Sequence, residues 1–171
     1  MSADPHPKDI LAERARRLAQ PADVHQILVE DAESDTVLVI RLGDERVGVA
    51  LGYITEVHRA ARLTPIPGAR PPVTGVIAWR GRVLTVLDIA LQRAGPVTIG
   101  DTTRIVVIGQ RRAAFGIVAD EVDDAQVASL HDAAPVESID PARAAFIRGV
   151  TSDALVVLDV PALIARFAPT H

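Results

Sequence analysis

The chain contains no cysteine. That absence removes disulfides, thiolate metal sites and cysteine nucleophiles together, and it fits a reducing compartment. Lysine is nearly absent, and only three Phe, one Trp and one Tyr occur in 171 residues. The core must therefore be aliphatic, and there are no aromatic platforms on which nucleic-acid bases could stack. No apolar run approaches the ~20 residues that cross a bilayer. The acidic, Pro-rich start, Met1 to Pro7, lacks the charged-then-apolar build of a signal peptide. The expectation is a soluble, cytoplasmic protein. Its histidines, His6, His25, His58, His131 and His171, stand far apart with no metal-ligand spacing. Neither a phosphate-cradling Gly-rich loop nor a Gly-x-Ser-x-Gly elbow is present. Thr151-Ser152-Asp153 reads as a turn rather than a nucleophile, because Ser and Asp favour local backbone hydrogen bonds. Nothing here supports an enzyme, and no cofactor or metal is expected.

What is present is Val, Ile, Leu and Ala in short runs, and an uneven distribution of charge. The net charge is −4 from 18 basic and 22 acidic side chains. Residues 1–36 carry 4 basic and 8 acidic groups, residues 37–112 carry 11 and 5, and residues 113–171 carry 3 and 9. The profile is therefore −4, +6, −6. Scattered single arginines in the middle suit docking of partner proteins better than the phosphates of nucleic acid.

Residues 8–20 are expected to form a helix, with Asp9 as N-cap and Pro21 as stop. It either packs on its own domain or docks on a partner. Residues 21–34 form an acidic linker. From residue 35 the texture is β: strands at 37–42 and 47–51 flank the turn Gly43-Asp44-Glu45-Arg46, and Ile54-Thr55-Glu56-Val57 leads into another strand. Thr64 to Pro72, with four prolines, reads as a stiff strap across a small barrel. Then comes a hairpin, Val73 to Trp79 and Arg82 to Leu87, closed by Arg80-Gly81. Glycine at the second turn position supplies the positive φ that a tight hairpin needs, which sets Arg80 on a rigid tip beside the only tryptophan. Trp79 itself is either a core plug or an interface anchor.

The second half repeats the first. Leu42-Gly43 to Glu56-Val57 is matched by Ile108-Gly109 to Glu121-Val122, and Gly75-Val76 to Asp88-Ile89 by Gly149-Val150 to Asp159-Val160. The offset between Asp88 and Asp159 is 71 residues. Two copies of a small β unit, each a small barrel, is the reading. Asp88 and Asp159 occupy equivalent places and could be mistaken for paired catalytic carboxylates. Each follows a strand and opens a helical pattern, so helix capping accounts for both.

In this order, Ile54-Thr55-Glu56-Val57, Thr64-Pro65-Ile66-Pro67, Gly75 to Gly81, Val86-Leu87-Asp88-Ile89, Gly116 to Val122, Phe146 to Val150 and Leu158-Asp159, the chain resembles the CheW family of chemotaxis coupling proteins. The resemblance covers about residues 35–168. It implies a mainly β fold of two five-stranded SH3-like barrels around a shared aliphatic core, with short helices beside the N-terminal one. The barrels would divide at roughly 35–100 and 101–168, with strands free to cross over. It further implies a non-catalytic adaptor between methyl-accepting chemoreceptors and a CheA-type histidine kinase, placed in arrays at the inner face of the membrane. The receptor and kinase contacts it implies are Ile54, Glu56, Val57, Trp79, Arg80, Gly81 and Val86. The family's Asn-Leu-Arg-Gly hairpin is Ala78-Trp79-Arg80-Gly81 here, a departure that bears on partner choice. The other readings are a scaffold of a non-flagellar chemosensory pathway and a barrel domain binding a small ligand between its halves.

Overall fold

The computed structural model describes residues 36–60, 62–90, 95–128, 134 and 141–168. The expected helix at 8–20 and the acidic linker lie outside these residues. Strands β1 (Thr36–Leu42), β2 (Glu45–Ala50), β3 (Ile54–Arg59), β4 (Val73–Trp79) and β5 (Arg82–Leu87) come first. The second series is β6 (Arg104–Gly109), β7 (Ala113–Ala119), β8 (Glu121–Val127), β9 (Ile147–Val150) and β10 (Leu155–Leu158). Two helices, α1 (Pro141–Ala144) and α2 (Val160–Phe167), flank the last hairpin.

The strands form two five-stranded sheets, ordered β8-β1-β2-β10-β9 (barrel A) and β3-β6-β7-β5-β4 (barrel B). The repeat is therefore built by exchange. Each copy lends its first hairpin to the other barrel: β1–β2 pairs with β8 and β10, and β6–β7 pairs with β3 and β5, while β9 and β4 close the sheets as partners of β10 and β5. The expected division near 100/101 does not separate the sheets, since barrel B takes 54–119 and barrel A takes the two ends. Exchange ties the copies together by burying one face of each lent hairpin between the barrels.

Period-2 alternation explains how such short strands serve two cores. On β6, Val106 and Ile108 point into the shared core while Ile105 and Val107 point into barrel B. On β1, Ile40 and Leu42 join the shared core, and Val37 and Val39 fill barrel A. The shared core adds Leu87, Phe115, Ile117, Val160 and Leu163, all fully buried. At about 1.5–3 kcal/mol for each large side chain taken from water, this layer dominates cohesion.

The pairing also fixes two glycines. β10 runs parallel to β2, placing Val157 opposite Gly48; β5 runs parallel to β7, placing Val86 opposite Gly116. The Val86-to-Val157 offset is again 71. A Cβ on Gly116 would lie 2.5 Å from Ile105 Cγ2, and one on Gly48 3.0 Å from Val37 Cγ2. Both positions are too close to a neighbouring strand for a side chain.

Asp159 N-caps α2, accepting from the Ala162 amide at 3.0 Å, with Pro161 in the first turn. Asp88 accepts from the Ala90 amide at 3.1 Å. Residues 88–90 are not helical, however, and 91–94 lie outside the described residues, so the helix expected there is not seen to begin. The Pro-rich segment runs beside β4: Thr64 exchanges two 2.9 Å backbone bonds with Val76, and Pro72 accepts from the Asp88 amide.

Candidate interaction site

The β4–β5 hairpin closes on Arg80 (φ 46°) and Gly81 (φ 74°), both in the left-handed region, with Trp79 opposite Arg82. Two consecutive positive φ values define the tight turn whose twist matches the strands. Gly81 holds its conformation without strain, whereas Arg80 is there at some cost and is held by its contacts.

Those contacts converge on Glu56. The Arg80 guanidinium lies 2.7 Å from Glu56 Oε2 and 5.0 Å from the centre of the Trp79 ring. Trp79 Nε1 donates to the same Oε2 at 3.2 Å. His58 Nδ1 stands 3.8 Å from the other carboxylate oxygen. Glu56 thus pins the edge strand β3 to the tip of β4, and Arg80 is oriented from below by a carboxylate and an indole face. Arg80 remains the most exposed of the group, with 68% of its side chain in solvent. What results is a cation presented in a fixed direction.

A bulge in β3 sorts the remaining expected residues. Ile54 pairs with Ile108, but Glu56 pairs with Val107, so the register slips at Thr55. Glu56 and His58 consequently share the face that carries Ile105 and Val107, while Ile54 and Val57 share the face of Ile108 and Val106. Ile54 packs against the shared core, and Val57 stays 41% exposed. Trp79 is 8% exposed and sits inside barrel B among Ile77, Leu84, Ile105 and Val107. It is a core plug whose one polar atom orients Glu56. Val86 is fully buried against Gly116, because its place on β5 points into barrel B. His58 was not singled out as a site residue; its alternation with Glu56 on one strand was the available signal.

Between the barrels lies an open groove with a cavity of about 100 Å³. Val47 and Val156 come from barrel A, Pro72 and Ile89 from the barrel B side, and Phe146 and Arg143 from the α1 region. Its polar groups are already engaged: Arg143 donates to the Ala90 carbonyl and Asp88 accepts from the Ala90 amide. No spacing in the sequence announces this groove, because it forms from segments far apart in the chain.

Among the described residues, no group of three or more His, Asp or Glu could hold a metal ion, and no helix is long and apolar enough to cross a membrane.

A family model described as the CheW-like domain matches residues 36–168. Protein FrzA of Myxococcus xanthus is 41% identical over 83 residues, covering 48% of this chain and 52% of that protein. Chemotaxis protein CheW of Bacillus subtilis is 27% identical over 99 residues, covering 57% and 62%. Chemotaxis protein CheW of Rhizobium meliloti is 30% identical over 117 residues, covering 67% and 75%. The match thus spans about half to three-quarters of these relatives. In fold, the chain is similar to scaffolding protein TtCheW from Thermoanaerobacter tengcongensis, with a TM-score of 0.59 at 22% identity over 74% of this chain and 84% of that one.

Proposed function

The chain belongs to the CheW-like family, and from that premise we propose that it is a non-enzymatic adaptor coupling methyl-accepting chemoreceptors to a CheA-type histidine kinase. The observation that carries the reading is the fixed Arg80. A guanidinium clamped by Glu56 and Trp79 at a hairpin tip loses little rotamer freedom on binding, so a partner carboxylate meets a preorganised cation. Arg is also over-represented among residues whose truncation costs an interface more than ~2 kcal/mol. Arg80, Glu56 and Gly81 form the contact, with Val57 as an exposed apolar neighbour. Trp79 serves from within.

The groove supports the same reading over a small-ligand site. It is open and apolar, and its Arg143 and Asp88 are committed to backbone partners rather than aimed at a guest. Such a surface suits the apolar face of a helix, as a receptor's helical tip would provide. Activity at the inner membrane face then comes from recruitment by partners. Co-sedimentation with a receptor fragment and the kinase tests the proposal: Arg80→Ala should keep wild-type unfolding behaviour and lose most of the assembled kinase. Wild-type assembly by that variant would remove Arg80 from the account.

A further inference from the structure

A five-stranded sheet curls into a barrel by bringing its two edge strands face to face, and in barrel B these are β3 and β4. Glu56 joins them at one end by holding Trp79 and Arg80. Away from that end, no strand pairing links β3 to β4 among the described residues. The free edge of β4 is met by Thr64, which takes both the amide and the carbonyl of Val76. Backbone groups alternate sides along a strand, so those of Ala78, two residues on, face the same way. On β3, the Ala60 amide donates to Thr103 beside β6, which turns the backbone groups of Arg59 toward the opposite edge. A gap is left between the two strands.

That gap is a cavity of about 210 Å³. Ile77 and Ala78 line it from β4, His58 and Arg59 from β3, and Arg62 from the chain that follows β3. Both arginines are exposed, and among the described residues neither has an acidic partner. The carboxylate on the same strand, Glu56, is engaged by Arg80 and Trp79, with His58 3.8 Å from its second oxygen. The ladder adds a third cation, because Arg59 stands directly opposite Arg104 on β6. Like charges so placed destabilise a sheet. Arg104 donates to the carbonyls of Asp101 and Thr103, at 2.8 and 3.1 Å, and no carboxylate among the described residues neutralises it.

We infer that this gap binds a phosphoryl-class dianion, either free phosphate or a phosphoryl group carried by a larger molecule. Arg59 and Arg62 each grip an oxyanion through parallel N–H groups, a geometry that guanidinium supplies and ammonium does not. The Ala78 amide donates from the β4 side, and the His58 imidazole adds a further N–H. Two unpaired guanidiniums match two negative charges, whereas a single carboxylate would leave one of them unmatched. The bound dianion also offsets the repulsion between Arg59 and Arg104, so occupancy stabilises barrel B. The site uses neither the Arg80 cation nor the inter-barrel groove, so it stands or falls apart from the adaptor reading.

The probe is inorganic phosphate, titrated into the full chain at constant ionic strength and about pH 8, where the phosphoryl group is doubly charged. Amide NMR spectra should show saturable shifts at Arg59 and Ala78, and Tm should rise with phosphate more than with chloride. Acetate, a lone carboxylate, should bind at least tenfold more weakly. Arg59→Gln combined with Arg62→Gln should weaken phosphate binding at least tenfold and keep the fold, since both side chains are exposed. A phosphoserine peptide distinguishes the sources: tighter binding than phosphate assigns the group to a protein, and equal or weaker binding assigns it to free phosphate. No saturable shift, equal binding of acetate and phosphate, or unchanged affinity in the double variant would each overturn the proposal.

Discussion

The two hairpin tips related by the repeat share a backbone role and differ in everything they present. The β4–β5 tip carries Arg80-Gly81-Arg82, with Arg80 fixed by a carboxylate and an indole. The β9–β10 tip carries Ser152 and Asp153, both exposed, and its polar groups pair locally: Thr151 is buried, its hydroxyl bonds Asp153, and its amide donates to Leu155. One tip satisfies its own polar groups and closes its barrel. The other keeps a cation directed outward. Duplication of a fold therefore preserved the parts that bury apolar surface and released the tips, whose residues face solvent and carry little of the stability.

The comparison can be broken first at the glycines. Gly116→Ala should cost about 1–3 kcal/mol, because its Cβ meets a branch of Ile105 that cannot swing away. Gly48→Ala, with a looser 3.0 Å approach, should cost less than half as much in urea unfolding. Equal costs would mean that the two parallel strand pairs are packed alike. The two equivalent glutamates come next. Glu56→Ala strips Trp79 Nε1 and Arg80 of their acceptor and should cost about 1–2 kcal/mol. Glu121→Ala gives up an exposed 3.8 Å pair with Arg41 and should stay within about 0.5 kcal/mol.

The smallest effect concerns acid. The Thr151 hydroxyl, with smaller help from the Asp153 backbone amide and Arg46, holds the Asp153 carboxyl below its ordinary range. A depressed carboxylate stabilises the fold above its unfolded-state pKa, near 4, and that contribution fades as the pH falls through the lower folded value. The small advantage of wild type over Asp153→Asn should therefore be present at pH 6 and vanish in acid unfolding well below pH 4.

Much of this was legible in the chain. Alternating aliphatic runs and turn glycines located the aliphatic strands, because period and turn chemistry are local properties, but not the acidic β8. The internal repeat located equivalent positions, and the Arg80-Gly81 turn followed from the glycine, which tolerates positive φ. Three things were not legible. The exchange of hairpins between barrels is a long-range choice that no local pattern encodes. The burial of Val86 depends on which neighbour β5 acquires. The bulge at Thr55, which separates Glu56 from Val57, is set by pairing with β6. Trp79 was open between core and surface because an indole suits either place, and its Nε1 bond to Glu56 shows how one residue serves both.

The central claim is that one tip is specialised and its counterpart is not. Calorimetric titration of a CheA-type histidine kinase, the partner proposed above, against Arg80→Ala and Asp153→Ala compares them directly, with thermal unfolding as the control. The account predicts a loss of tenfold or more in affinity for Arg80→Ala at an unchanged Tm, and less than twofold for Asp153→Ala. Equal losses at both tips, or none at Arg80, would contradict it.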